Sequence, residues 1–233
     1  AGELTLFITE GQVALLEDMM WLQGYLDSGQ MAGAFTMLRS NDLLWTRMVR
    51  DYLLGERQKP NALMAWNADA TRMPYAMHAQ YLRWLFLENR LAHGRYHVDG
   101  RPVALNDLRI PVIGVGTETD HVAPWPSVYK FQRLTETQTT FILTNGGHNA
   151  GIVSRPDHPR RHHRIHTTER DEPFVDAQSW MDQVPVQPGS WWPAWTQWLA
   201  ERSGKPVAPP PLGAEEACYP TLGEAPGVYV LQR

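Results

Sequence analysis

The feature that most constrains this sequence is the stretch of residues 110–152, where two short apolar runs each end in a turn carrying a polar group. The first run, IPVIGVG, leads into TETDHVAPW and delivers Asp120; the second, TTFILT, leads into NGGHNAG and delivers His148. Continuous apolar runs bounded by turn residues are how strands buried on both faces of a parallel sheet read. In such sheets functional groups gather just past the carboxyl ends of the strands. The interval from Asp120 to His148 leaves room for a helix, read around residues 127–134, and for the second strand. An imidazole serves as a general base near neutral pH, and a carboxylate fixes its tautomer and stabilises the imidazolium. Alone, either residue reads as an ordinary turn residue. Together, in the order acid then histidine, they read as the acid–base half of a hydrolase-type triad.

The attacking residue of such a triad sits on a G-x-S-x-G-type elbow upstream of the acid, and no G-x-[SC]-x-G occurs here. Gly29-Gln30-Met31-Ala32-Gly33 has the glycine spacing but carries Met at its centre. The only cysteine, Cys218, follows His148 in a proline-flanked tail and reads as an ordinary tail residue. A single cysteine excludes an internal disulfide framework and fits a reducing compartment. A net charge of −4 and a pI near 6.1 give no global field favouring nucleic acid. No apolar run approaches the ~20 residues of a membrane helix, and no signal-peptide pattern opens the chain. A soluble, cytoplasmic protein without nucleic-acid or membrane-spanning partners is expected.

Helical periodicity covers residues 12–26, 31–38, 43–54 and 74–91, with Ser40-Asn41-Asp42 as an N-cap cluster and Gly55 as a C-cap. Residues 64–73 read as a loop. Asp99-Gly100 between short β-prone runs predicts a two-residue hairpin. Residues 154–173 are polar, proline-containing and without periodicity, and read as a loop. A last helix is predicted over residues 191–202, followed by a proline-rich linker at 205–213. The fold class is α/β. Two buried parallel strands cannot form a covered sheet alone, so further strands, from outside this chain or from a partner, are expected to complete it.

The histidines His158, His162, His163 and His166 invite a metal reading, but prolines and interleaved arginines favour a solvated basic loop, placed for phosphate groups of a coenzyme; no metal site is expected. Trp191, Trp192, Trp195 and Trp198 read as core. His121, next to the acid, is a candidate support for it through a hydrogen bond, although a structural role is favoured.

At this point several motifs converge. IPVIGVGTETDHVAPW, GGHNAGIV, LRSNDLLWTRMVRDYL, MAWNADATRMP and GSWWPAWTQWL together resemble the C-terminal part of class I polyhydroxyalkanoate synthases, and the resemblance covers nearly the whole chain. It implies the C-terminal portion of an α/β-hydrolase fold with an inserted helical cap, the N-terminal half of the core sheet being absent. The implied organisation is a cap region at 1–94, core strands with acid and histidine loops at 95–153, the His/Arg-rich loop and Trp-rich helix at 154–204, and a linker and tail at 205–233. It further implies Asp120 as triad acid, His148 as general base, and a cysteine nucleophile supplied from outside this chain. Trp66, Trp125 and Asn149 are expected pocket residues. The substrate would be a 3-hydroxyacyl-coenzyme A, with no separate cofactor. The partners would be the growing polyester chain or granule surface and a second copy through the cap. A related thioesterase, lipase or depolymerase fragment, or a non-catalytic synthase-binding protein, are the alternative readings.

Overall fold

The structure, a computed structural model, describes residues 8–38, 40, 44–56, 59, 64, 66 and 70–224. Helix α1 (Glu10–Gln23) opens on a capping box, in which Gln12 N–H donates to Thr9 Oγ1 at 3.3 Å and Thr9 N–H donates to Gln12 Oε1 at 3.1 Å. Its buried stripe is narrow, Val13 and Met20, while Leu15 and Leu22 stay exposed. Contacts divide the chain into two units, Ala1–Glu17 with Ala79–Ser203, and Asp18–His78 with Gly204–Arg233.

In the second of these units strand β1 (Tyr25–Leu26) pairs antiparallel with β2 (Met73–Pro74). Helix α2 (Ser28–Leu38) and helix α3 (Thr46–Met48) lie between them in sequence, and α3 widens into a π-type turn over Val49–Leu53. Gly55 has φ 69°, the left-handed conformation of a helix-ending glycine. Of the N-cap cluster, Asn41 and Asp42 lie outside the described residues, as do residues 65 and 67–69 of the loop predicted at 64–73.

The helical segment predicted at 74–91 begins as α4 (Tyr75–Gln80) and continues as a π-helix through Tyr81–Leu87, and from Ala79 on it belongs to the other unit. Arg83, on that segment, grips Glu17 through two bonds of 2.6 and 2.7 Å and Glu10 through one of 2.8 Å. The hydrogen bond from Arg83 holds the Glu17 carboxyl below the usual range despite its desolvation. Strands β3 (Tyr96–Val98) and β4 (Arg101–Val103) make the expected hairpin, with Asp99 and Gly100 both at positive φ as a type I′ turn requires.

Asp120 and His148 follow strands of a mixed sheet of order β5–β6–β7–β8. Strand β5 (Val112–Thr117) runs parallel to β6 (Thr139–Thr144), in register from Val112 opposite Thr139 to Thr117 opposite Thr144. Every residue of β6 is buried, which is why TTFILT shows no alternation. Helix α5 (Trp125–Tyr129), extended by a 3₁₀ turn to Arg133, connects the two strands and covers β5. Gly114 permits that cover: a Cβ there would sit 2.4 Å from the Phe131 ring. Helix α6 (Ala177–Gln183) is N-capped by Asp176, whose carboxylate accepts from the Gln178 and Ser179 N–H groups. It delivers Trp180 to an aromatic core in which Phe141 meets the Tyr129 and Trp180 rings edge-on at 5.1 and 5.2 Å. Tyr129 satisfies its hydroxyl by donating to the Val175 carbonyl at 3.0 Å.

One expectation is overturned. Residues 154–173 are not all loop: His162–Thr168 forms strand β7, antiparallel to β6 along its full length, and β8 (Gln187–Pro188) pairs with its first residues. The stretch looked aperiodic because its polar side chains find particular partners, such as His163 Nδ1 with the Gly189 carbonyl at 3.1 Å. The β-branched Ile165, Thr167 and Thr168 were the overlooked strand signal. Two of the strands completing the sheet are therefore in this chain, on the β6 side. Among the described residues no strand pairs with the other edge of β5. Helix α7 (Trp192–Ala200) matches the last predicted helix.

Candidate active site

The turns after β5 and β6 are sewn together by continuation of the parallel ladder. Glu118 N–H donates to the Thr144 carbonyl at 2.9 Å, and Thr119 N–H donates to the Gly146 carbonyl at 3.1 Å. Asp120 then folds its side chain back on its own turn. Its Oδ1 accepts from the Val122 and Ala123 N–H groups at 2.9 and 2.8 Å, the pattern by which Asp side chains close turns. That leaves Oδ2 for His148, whose Nδ1 lies 2.9 Å away. With the carboxylate as acceptor, Nδ1 carries the proton and Nε2 is the free base or acid.

Burial differs across the pair: the Asp120 side chain is 8 % exposed and that of His148 45 %. Desolvation pushes the Asp120 carboxyl up. The Ala123 N–H, the His148 ring and the Val122 N–H outweigh it, so the group is held below the ordinary Asp range and is ionised at neutral pH. An ionised, buried carboxylate behind an open imidazole is equipped to draw a proton from a nucleophile presented to Nε2. Beyond His148 the chain closes a tight turn, with Gly151 N–H donating to the Gly147 carbonyl, and Ile152 and Val153 N–H both donating to the Asn149 carbonyl. Gly151 is required there, since a Cβ would lie 2.5 Å from Thr117 Cγ2 and 3.0 Å from the Gly147 oxygen.

The remaining candidates fall elsewhere. His121 is partly buried and has no hydrogen-bond partner among the described residues; both Asp120 oxygens are already taken. Trp125 lies in the aromatic core, 6.2 Å from the Trp180 ring and 6.4 Å from that of Phe141. Asn149 follows His148 directly and is partly buried. Trp66 is 61 % exposed and belongs to the unit built on Asp18–His78. Cys218 is exposed, at φ 63°, after the turn Glu215–Ala217 of that same unit. No group of three or more His, Cys, Asp or Glu among the described residues is arranged to hold a metal ion. Residue patterns missed a second acid–histidine contact, Glu118 Oε1 to His162 Nε2 at 3.4 Å, because His162 was read as loop.

The mixed sheet with flanking helices defines a protein of the α/β class with an acid–histidine pair at its strand ends. No protein-family model matches the chain. Its whole length is 39 % identical to the poly(3-hydroxyalkanoate) polymerase subunit PhaC of Rhizobium etli, covering 36 % of that protein. It is 40 % identical to the PhaC subunit of Rhizobium meliloti, again over the whole chain and 37 % of the relative. Over 99 % of the chain it is 38 % identical to a poly(3-hydroxyalkanoate) polymerase of Methylorubrum extorquens, covering 37 % of that protein. The chain is a homologue of the poly(3-hydroxyalkanoate) polymerases along its entire length, and it spans just over a third of the length of these relatives. Among the described residues no helix is long and apolar enough to cross a membrane.

Proposed function

We propose that this chain is the acid- and base-bearing part of a class I polyhydroxyalkanoate synthase, with an α/β-hydrolase core and a helical cap within residues 1–94. The observation that carries the reading is the 2.9 Å contact between His148 Nδ1 and a buried, ionised Asp120, in a chain homologous throughout to the polymerases. The nucleophile is a cysteine from outside this chain. His148 Nε2 takes its proton, and the thiolate attacks the thioester carbonyl of a 3-hydroxyacyl-coenzyme A. As the tetrahedral intermediate collapses, the carbon–sulfur bond to coenzyme A breaks and the imidazolium returns the proton to the departing thiolate. The acyl group is left on the cysteine. A hydroxyl at the end of the growing chain then attacks that acyl group, with the same pair accepting its proton; the carbon–sulfur bond to the cysteine breaks as the ester forms, and the imidazolium returns the proton to the cysteine thiolate. Asp120 keeps the imidazole oriented and balances its charge through both halves. Coenzyme A is a product of this reaction, and no resident cofactor enters it. The assembled enzyme works in the cytoplasm at the surface of polymer granules, as a homodimer formed through the cap.

The test is polymer formation from 3-hydroxybutyryl-coenzyme A by a full-length polymerase carrying this sequence. His148→Gln and Asp120→Asn should each remove it, and a fully active His148→Gln variant would sink the assignment. The isolated chain should show no turnover. Turnover by the chain alone, abolished by Cys218→Ser, would instead make Cys218 the nucleophile.

A further inference from the structure

Nothing in the histidine turn itself binds the His148 ring in place as the Asp120 turn binds its own carboxylate. The ring bonds Asp120, and the loop that carries it receives side-chain bonds from a segment whose sequence reads as solvated loop. Arg161, immediately before β7, is partly buried and spends all its side-chain hydrogen bonds on residues 145–154. Its Nε donates to Ser154 Oγ at 2.9 Å, Nη1 to the Asn145 carbonyl at 3.0 Å, and Nη2 to the Ala150 carbonyl at 2.6 Å. These acceptors bracket His148 on both sides in sequence. Among the described residues no carboxylate pairs with this guanidinium, so its charge is directed at neutral loop oxygens.

Two indoles complete the hold. Trp191 Nε1 donates to the Gly151 carbonyl at 3.3 Å, and Trp192 Nε1 donates to the Ile152 carbonyl at 3.1 Å. The Arg161 carbonyl accepts from Gly189 N–H at 2.7 Å, which ties the arginine to the segment leading into α7. Five side-chain donors from beyond the loop therefore converge on it. A planar guanidinium reaches several separated acceptors at once, and a lysine ammonium, a point donor, does not.

We infer that Arg161, seconded by Trp191 and Trp192, is a positioning residue that holds the histidine turn so that His148 stays on Asp120. The inference deepens the acyl-transfer reading above and rests on it for its kinetic consequence. Arg161 touches no reacting atom; it acts through the loop. Displacing a base by about 1 Å costs on the order of 10²-fold in rate, so Arg161→Gln should lower kcat by about that factor while KM moves by less than about threefold.

The experiment uses the full-length polymerase with 3-hydroxybutyryl-coenzyme A and compares wild type, Arg161→Gln, Arg161→Lys and Arg160→Gln. The last removes the same charge one residue away and should leave turnover within about twofold of wild type. Arg161→Lys should recover only part of the loss, because one nitrogen replaces a three-way span. Amide exchange over residues 146–153 should rise by about tenfold or more in Arg161→Gln, with the β6 amides unchanged. In an Asp120→Asn background, where the pair is already broken, Arg161→Gln should cost less than about threefold, since effects transmitted through one unit do not multiply. Three results overturn the inference: kcat within about twofold of wild type in Arg161→Gln, unchanged exchange over residues 146–153, or full multiplication with Asp120→Asn. Exchange is read without activity. If His148→Gln proved active, the acyl-transfer reading would fall while the exchange result still judged the clamp.

Discussion

The two turns that meet at the sheet end are held differently. The Asp120 turn closes through its own side chain, using bonds to N–H groups two and three residues further along. The His148 turn closes through backbone bonds alone and takes its side-chain bonds from afar, from Arg161 and from indoles forty residues beyond their acceptors. A self-closed turn gives a fixed, buried carboxylate. A turn held from outside can carry an exposed imidazole whose orientation depends on the packing of another part of the fold. The difference separates two requirements of the proposed chemistry: the acid must be ionised before the reaction starts, and the base must be open to what it deprotonates.

Asp120→Asn sharpens this contrast most. The amide oxygen can keep the bonds from Val122 and Ala123, so the turn survives, while the charge behind His148 is lost. We expect kcat to fall by about 10³–10⁴-fold with little change in thermal midpoint; a fall in both together would show that the two oxygens are not separable. Next comes Gly151→Val, which drives a side chain into Thr117 from the histidine side. Overpacking of this kind costs about 1–3 kcal/mol, and single-turnover acylation should slow by on the order of 10²-fold. Normal acylation in that variant would break the link between turn geometry and rate. Trp192→Phe removes one donor and keeps most of the ring. A loss of about 0.5–1.5 kcal/mol should appear chiefly as faster exchange at residues 152 and 153, with turnover reduced by less than about tenfold.

The smallest effect is in pH. Because the folded Asp120 pKa lies below its unfolded value, the stability it contributes is complete above the unfolded pKa and is lost as pH falls through the lowered one. Urea midpoints measured from pH 6 to pH 3 should therefore fall less steeply in Asp120→Asn than in wild type. Equal slopes would mean that the turn does not hold the carboxylate as described.

The same contrast explains what the sequence made legible. Asp120 and His148 could be read because each directly follows a continuous apolar run, and strand β6 hides nothing from pattern. The hairpin at Asp99-Gly100 was legible for a local reason too, its turn chemistry. Strand β7 was not, because an antiparallel strand joined to β6 by backbone bonds can carry His, Arg and Thr side chains that mimic a solvated loop. Arg161 was invisible for a different reason: two of its three partners are backbone carbonyls, which leave no mark in a sequence. Trp191 and Trp192 were read as core. Their burial fits that reading, but their ring nitrogens do something that hydrophobicity does not report.

The indole bonds to Gly151 and Ile152 also set an order in time. A ribosome completes His148 well before it reaches the tryptophans whose acceptors lie forty residues upstream of them. At about 5–20 residues per second, that interval lasts roughly 2–8 s. Throughout it the nascent chain carries its acid turn, which needs only its own neighbours, beside a histidine turn that still lacks its two indole bonds. The histidine turn gains these last two bonds only once the last helix of the unit has emerged and packed, so the geometry proposed for proton transfer is completed near the end of synthesis of this unit rather than when His148 is made.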